Sequence, residues 1–158
     1  MNRRDIVIGL VVLVVLAAII YLVRRPQEQL ELQTTPSVEE QLEESFNLQL
    51  PDDVEKLDLS DVSGGNSSGI ATRKNESGVY THTVLADLPD PQAGKFYEGW
   101  LVMGEKVVST GKFMIAKGGY LLEYESSTDY SDYNMVVVTL EQKDDKTPEV
   151  HILEGTFK

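Results

Sequence analysis

The chain contains no cysteine. That removes disulfides, a thiolate nucleophile, a cysteine-bound zinc and a lipid-modified N-terminal cysteine together. Only two imidazoles are present, His82 and His151. They fall on separate expected strands without a helical pairing, so no zinc site is read. Basic residues are scarce beyond the first segment: from Pro26 onward there are 10 Lys/Arg against 25 Asp/Glu, a net of −15. Nucleic-acid binding needs a basic face to neutralise phosphates and is excluded. Docking of the acidic part on an anionic lipid surface is disfavoured on the same ground. No Gly-x-Ser-x-Gly elbow occurs, and the loop Gly64-Gly65…Gly69 lacks the lysine and following helix of a phosphate-binding loop. No carboxylate pair stands out for glycoside chemistry. The expectation is therefore a protein without enzymatic activity, cofactor or metal.

What the sequence does have begins with a long apolar run. Residues 6–23 form 18 consecutive apolar or weakly polar positions. At the rise of an α-helix that is roughly 27 Å, enough for one bilayer crossing. It is too long for the apolar core of a signal peptide, and no small-x-small cleavage site follows it. Tyr21, Arg24 and Arg25 suit the far interface, and Arg3 and Arg4 the near one. The expected organisation is a cytoplasmic tail over 1–5, a single transmembrane helix over 6–23, an acidic linker over 24–50 and an extracytoplasmic domain over 51–158. The linker reads as a partly disordered stalk. Within it, Val38, Leu42 and Phe46 at i, i+4, i+8, with Ser37 or Thr35 as N-cap, permit a short amphipathic helix.

From Pro51 the pattern changes to short β-prone segments separated by turns. Eight or nine strands with turn signals every 8–12 residues or so predict an all-β fold, an antiparallel β-sandwich of Ig-like architecture. Asn75-Glu76-Ser77-Gly78 reads as a hairpin turn. Residues 135–140 are almost continuously apolar, as befits a strand buried on both faces. The most informative stretch is 85–102. Pro89 and Pro91 forbid helix or central strand through a loop, and Phe96-Tyr97-Glu98-Gly99-Trp100-Leu101-Val102 then reads as a central strand holding the one tryptophan. Gly99 is expected to leave room for a neighbouring group.

Among the loops, Asp129-Tyr130-Ser131-Asp132-Tyr133 is the most site-like. Asp129, Tyr130, Asp132 and Tyr133 offer two carboxylates and two phenols for recognition of a partner. The spacing lacks the glycine and terminal bidentate glutamate of an EF-hand. Asn66 and Asn75 each open an N-x-Ser/Thr triplet in an expected loop.

The ordered set Leu88-Pro89-x-Pro91-x-x-Gly94-Lys95-x-Tyr97-x-x-Trp100-Leu101-Val102 resembles the extracytoplasmic domain of the anti-sigma-K factor family. Gly111-Lys112-Phe113 and Val136-Val137-Val138-Thr139-Leu140-Glu141 continue the likeness, and Thr147-Pro148 loosely so, over roughly residues 54–157. After Glu141 the family's Pro-x-Gly-Gly is replaced by Gln142-Lys143-Asp144-Asp145. The family carries a cytoplasmic sigma-binding domain before the span, where this sequence has Met1 to Asp5. The resemblance implies the fold and the extracytoplasmic location. It assigns Leu88, Pro89, Gly94, Tyr97, Trp100, Thr139 and Glu141 a structural role. The expected function is a membrane-anchored, non-catalytic sensor or interaction module. Its expected partner is a protein, in an anti-sigma or other envelope regulatory complex. The alternative is a cell-surface domain that binds glycan or protein through exposed tyrosines.

Overall fold

The computed structural model describes residues 36–47 and 49–158. The expected tail and transmembrane segment, with the first part of the linker, lie outside the described residues. Among those described, no helix is long and apolar enough to cross a membrane.

The first element among the described residues is a helix, α1 (Val38–Phe46), inside the stretch expected to be a stalk. Ser37 caps it: its hydroxyl accepts from the Glu40 amide, and the Glu40 side chain takes the Ser37 amide in return. This reciprocal box satisfies two donors that a helix start leaves free. Asn47, in the left-handed region, closes the other end. Leu42 and Phe46 are buried, together with Leu50, against Ile70 and Leu85. The helix is thus packed on the domain, because its i, i+4, i+8 apolar stripe has a sheet face to cover.

Nine strands follow: β1 (Glu55–Asp61), β2 (Ser68–Glu76), β3 (Val79–Asp87), β4 (Phe96–Met103), β5 (Lys106–Lys112), β6 (Met114–Ala116), β7 (Gly119–Ser126), β8 (Met135–Glu141) and β9 (Val150–Thr156). The β2–β3 hairpin turns at Ser77-Gly78, both at positive φ, which is the two-residue turn whose twist matches the flanking strands.

The all-β, antiparallel expectation holds, but the two separate sheets of a sandwich are replaced by one. All nine strands form a single antiparallel sheet in the order β5-β4-β8-β9-β1-β2-β3-β7-β6. Its two edges, β5 and β6, are joined in sequence through Phe113 alone. A sheet whose opposite edges are consecutive in the chain has to curl, so the result is nearly a barrel. The ring is thin opposite that corner, where β1 and β9 pair only at Ser60–Glu154 and Asp61–Leu153. One core fills it, with Leu59, Ala71, Val84 and Leu122 from one side meeting Leu101, Val136, Val138 and Leu153 from the other.

The sheet has two outward faces that are also buried. The β2, β3, β6 and β7 region is covered by α1. On β4 and β8 the outward residues Glu98, Trp100, Val137, Thr139 and Glu141 are buried too. That face is approached by the β8–β9 loop, residues 142–149, whose Asp144 binds Lys112 at 2.8 Å.

Candidate functional site

The sequence-predicted residues fall into three places. The first is the proline loop before β4. Leu88 is buried in the core, and Gly94 adopts φ 84° in the turn closed by Lys95 N–H donating to Gln92 O at 2.9 Å. The Tyr97 hydroxyl donates to Pro89 O at 2.9 Å, and the Tyr120 hydroxyl donates to Asp90 Oδ1 at 2.9 Å. The two rings stack edge to face at 5.3 Å. Two phenols thus bind a segment whose prolines cannot offer their own amides to a ladder.

The second place is the outward face of β4 and β8. Trp100 is opposite Val137, Glu98 opposite Thr139, and Phe96 opposite Glu141. The indole Nε1–H of Trp100 donates to Thr139 Oγ1 at 2.7 Å. Glu141 accepts from the Glu149 amide at 2.9 Å, which fastens the far end of the β8–β9 loop. Motif residues that stand 39 positions apart in sequence therefore meet directly. Gly99 faces the other way. A Cβ there would lie 2.6 Å from Leu122 Cδ1 and 2.7 Å from Thr110 Oγ1, so any larger residue forces these side chains to shift.

Sequence reasoning missed Glu98, which shares the outward face with Trp100 and is 4 % exposed. Its carboxyl accepts from the Ser109 hydroxyl, while Oε2 has no hydrogen-bond partner; Glu141 Oε2 is likewise unpartnered. Burial pushes the Glu98 carboxyl up from its ordinary value, aided by Glu141 and Asp144 and opposed by the Ser109 hydroxyl and Lys112. Alternation along the strand places Glu98 on the same face as the tryptophan, but whether that face is buried depends on the neighbouring strands.

The third place is the loop 129–133. Asp129 and Asp132 are exposed, whereas Tyr130 and Tyr133 are half-buried and packed on the core. Tyr130 stacks on Tyr133 at 5.3 Å, Tyr80 at 5.8 Å and Tyr124 at 6.1 Å. Asp129 Oδ1 accepts from the Ser131 amide at 2.9 Å and its hydroxyl at 2.6 Å. The Ser131 hydroxyl is the main reason the Asp129 carboxyl is held below its ordinary value. Beneath the loop lies Arg73, which shares the inward face of β2 with Ala71 although its charge alone would suggest solvent. Its guanidinium donates to Ser131 O at 2.9 Å, Asn134 Oδ1 at 3.2 Å and Glu55 Oε2 at 2.7 Å. It also lies 4.0 Å from the centre of the Phe157 ring. The loop is therefore a fixed aromatic surface with two outward carboxylates.

Next to it, inside the sheet, His82 is buried and its Nδ1–H donates to Thr72 O at 2.9 Å. Burial pushes its pKa down to about 4, against the pull of the Thr72 carbonyl. Nε2 has no partner. Among the described residues no group of three or more His, Cys, Asp or Glu is placed to hold a metal ion.

The comparisons with known proteins give one match. A family model described as anti-sigma-K factor rskA, C-terminal, matches residues 7–152. It begins within the apolar run and ends in β9, further toward the N-terminus than the motif residues alone reach. No curated protein and no solved structure matches the chain.

Proposed function

We infer the function from the family: the chain belongs to the anti-sigma-K factor family through that C-terminal domain, and it is a regulatory, anti-sigma-factor-like protein. We propose that it is a single-pass membrane protein anchored by residues 6–23, with its N-terminus in the cytoplasm and its β-domain outside. In this reading the β-domain senses or binds a protein partner in an envelope regulatory complex and performs no catalysis of its own. The observation that carries the reading is the family match over 7–152, which takes in both the apolar run and the sheet.

The surface best suited to the partner is the loop 129–133. Arg73 and the stacked tyrosines hold it in one conformation, so binding loses little conformational entropy there. Tyrosine suits such wet, partly apolar recognition, and Asp129 and Asp132 favour a partner with basic residues.

Cross-linking and pull-down of the full chain from detergent-solubilised membranes tests this. A reproducible protein partner is expected, captured several-fold less by Asp129→Asn/Asp132→Asn. Capture unchanged by that variant moves the surface elsewhere. Recovery of no partner, with specific binding of the isolated domain to a glycan array, replaces the regulatory reading with the adhesive one.

A further inference from the structure

We propose that the β8–β9 loop is a proton-gated cover over Trp100: Lys112 and Asp144 latch it shut while Glu98 holds a proton, and it lifts when Glu98 releases that proton. The inference needs no partner, so it stands or fails apart from the regulatory reading.

Glu98 is the cross-strand neighbour of Lys112 on β5 and of Thr139 on β8. Lys112 points at two groups. Its ammonium lies 2.8 Å from Asp144 in the loop and 4.1 Å from the centre of the Phe96 ring. The Lys112–Asp144 pair is exposed on both sides, and such pairs are weak, so a modest change in local charge suffices to break it. On the other side of the loop, Lys146 lines a recess of about 290 Å³ together with Trp100, Val107, Val108 and Ser109. The cover is thus imperfectly packed, although Trp100 itself is only 1 % exposed.

The groups around Glu98 decide the direction. From β5 come Ser109 and Lys112, from β8 Glu141, from the loop Asp144 and Lys146. On β9, His151 stands opposite Thr139 and pairs with Glu154, and Glu149 is engaged by the Gln142 amide. Only one Glu98 oxygen has a donor. An unpaired buried hydroxyl is tolerable, whereas an unpaired buried anionic oxygen costs far more. Deprotonation therefore adds a buried negative charge on the face that Glu98 shares with Glu141 and Asp144. Lys112 is the cation within reach, and turning it toward Glu98 takes it from Asp144. Both effects push the loop off the sheet. A bound cation would relieve the same crowding, but among the described residues no third ligand completes a metal set.

Trp100 is the only tryptophan of the chain and reports the cover directly. The experiment is acrylamide quenching of its fluorescence in the full chain in detergent, from about pH 5 to about pH 9, spanning a raised carboxyl value. Quenching is expected to rise several-fold with pH while the far-UV circular dichroism stays constant. Glu98→Gln keeps the shape and the Ser109 bond and is expected to remain shielded throughout. Ser109→Ala removes a donor that favours the anion and is expected to move the transition to higher pH. His151→Gln is expected to leave it in place. At a fixed neutral pH, trypsin is expected to cut at Lys143 and Lys146 more slowly in Glu98→Gln than in the unaltered chain. A Trp100 shielded at every pH, or the same transition in Glu98→Gln, overturns the proposal. Should Glu98→Gln unfold, an unshifted transition in Ser109→Ala overturns it equally.

Discussion

Trp100 and Thr139 show how much one hydrogen bond contributes when both partners are out of water. Changing Thr139 to Val keeps the volume but leaves the buried indole N–H without an acceptor, and urea titration is expected to show a loss of about 1–3 kcal/mol. Trp100→Ala also opens a cavity and is expected to lose about 3–5 kcal/mol; a loss near zero would contradict the central place of β4. His82 gives the domain a pH dependence of known sign. Its folded pKa, about 4, lies below its ordinary value of 6.5, so the unfolded chain takes the proton first as pH falls. The stability it contributes is complete above about pH 6.5 and is lost down to about pH 4, on the order of 3 kcal/mol in all. His82→Gln keeps a donor for Thr72 and is expected to flatten that part of the stability-against-pH curve. Glu98 acts in the opposite sense: its raised pKa contributes stability at low pH that is lost as pH rises through the folded value. Neither residue was legible as buried in the sequence. A histidine or glutamate in an alternating strand is equally compatible with either face until the neighbouring strands are known.

At the scale of elements, the two outward faces of the sheet are covered by different means, a capped helix on one and a strand-connecting loop on the other. The helix depends on a close approach at the β6–β7 turn. Gly118, at φ 94°, has no room for a side chain, because a Cβ there would overlap the backbone of Ser45 and Phe46. Gly118→Ala is therefore expected to push α1 off the sheet, seen as faster amide exchange over Val38–Phe46 and Ile70 with the β4–β8 pairing unaffected. Ser37→Ala, which removes only the cap, is expected to cost about 0.5–2 kcal/mol and to leave the packing in place. Much of this level was readable. The stripe Val38, Leu42, Phe46 permitted the helix although the stretch was expected to be a partly disordered stalk, the nearly continuous apolar run of β8 predicted a strand buried on both faces, and Asn75–Gly78 predicted the turn, which the structure narrows to Ser77-Gly78. That the helix docks was not readable, because its acidic positions hide a stripe of only three residues. The single sheet in place of a sandwich was not readable either. Local alternation fixes which side chains face inward, but the pairing of β1 with β9 rests on two residue pairs and leaves no mark on composition.

At the scale of the whole molecule, charge and hydrophobicity are divided along the chain in a way that makes the anchoring testable. The 18-residue apolar run carries no Asp, Glu, Lys, Arg or His, whereas the sequence from Pro26 onward has a net charge of −15. An acidic domain gains nothing from an anionic lipid surface, so the proposed anchoring rests on the apolar run and the arginines that flank it. Among the described residues, the covered faces and the core of the sheet are built from α1 and the strands. Removal of residues 1–25 is therefore expected to move the protein from the membrane pellet to the soluble fraction without changing the urea midpoint of the β-domain. Protease treatment of intact cells is expected to remove the β-domain of the full chain, as an external location requires. A full chain found in the soluble fraction would end the anchoring reading. A β-domain attached to the membrane pellet and protected in intact cells would keep the anchor and reverse the orientation. In that case the partner of the 129–133 loop would have to be sought in the cytoplasm.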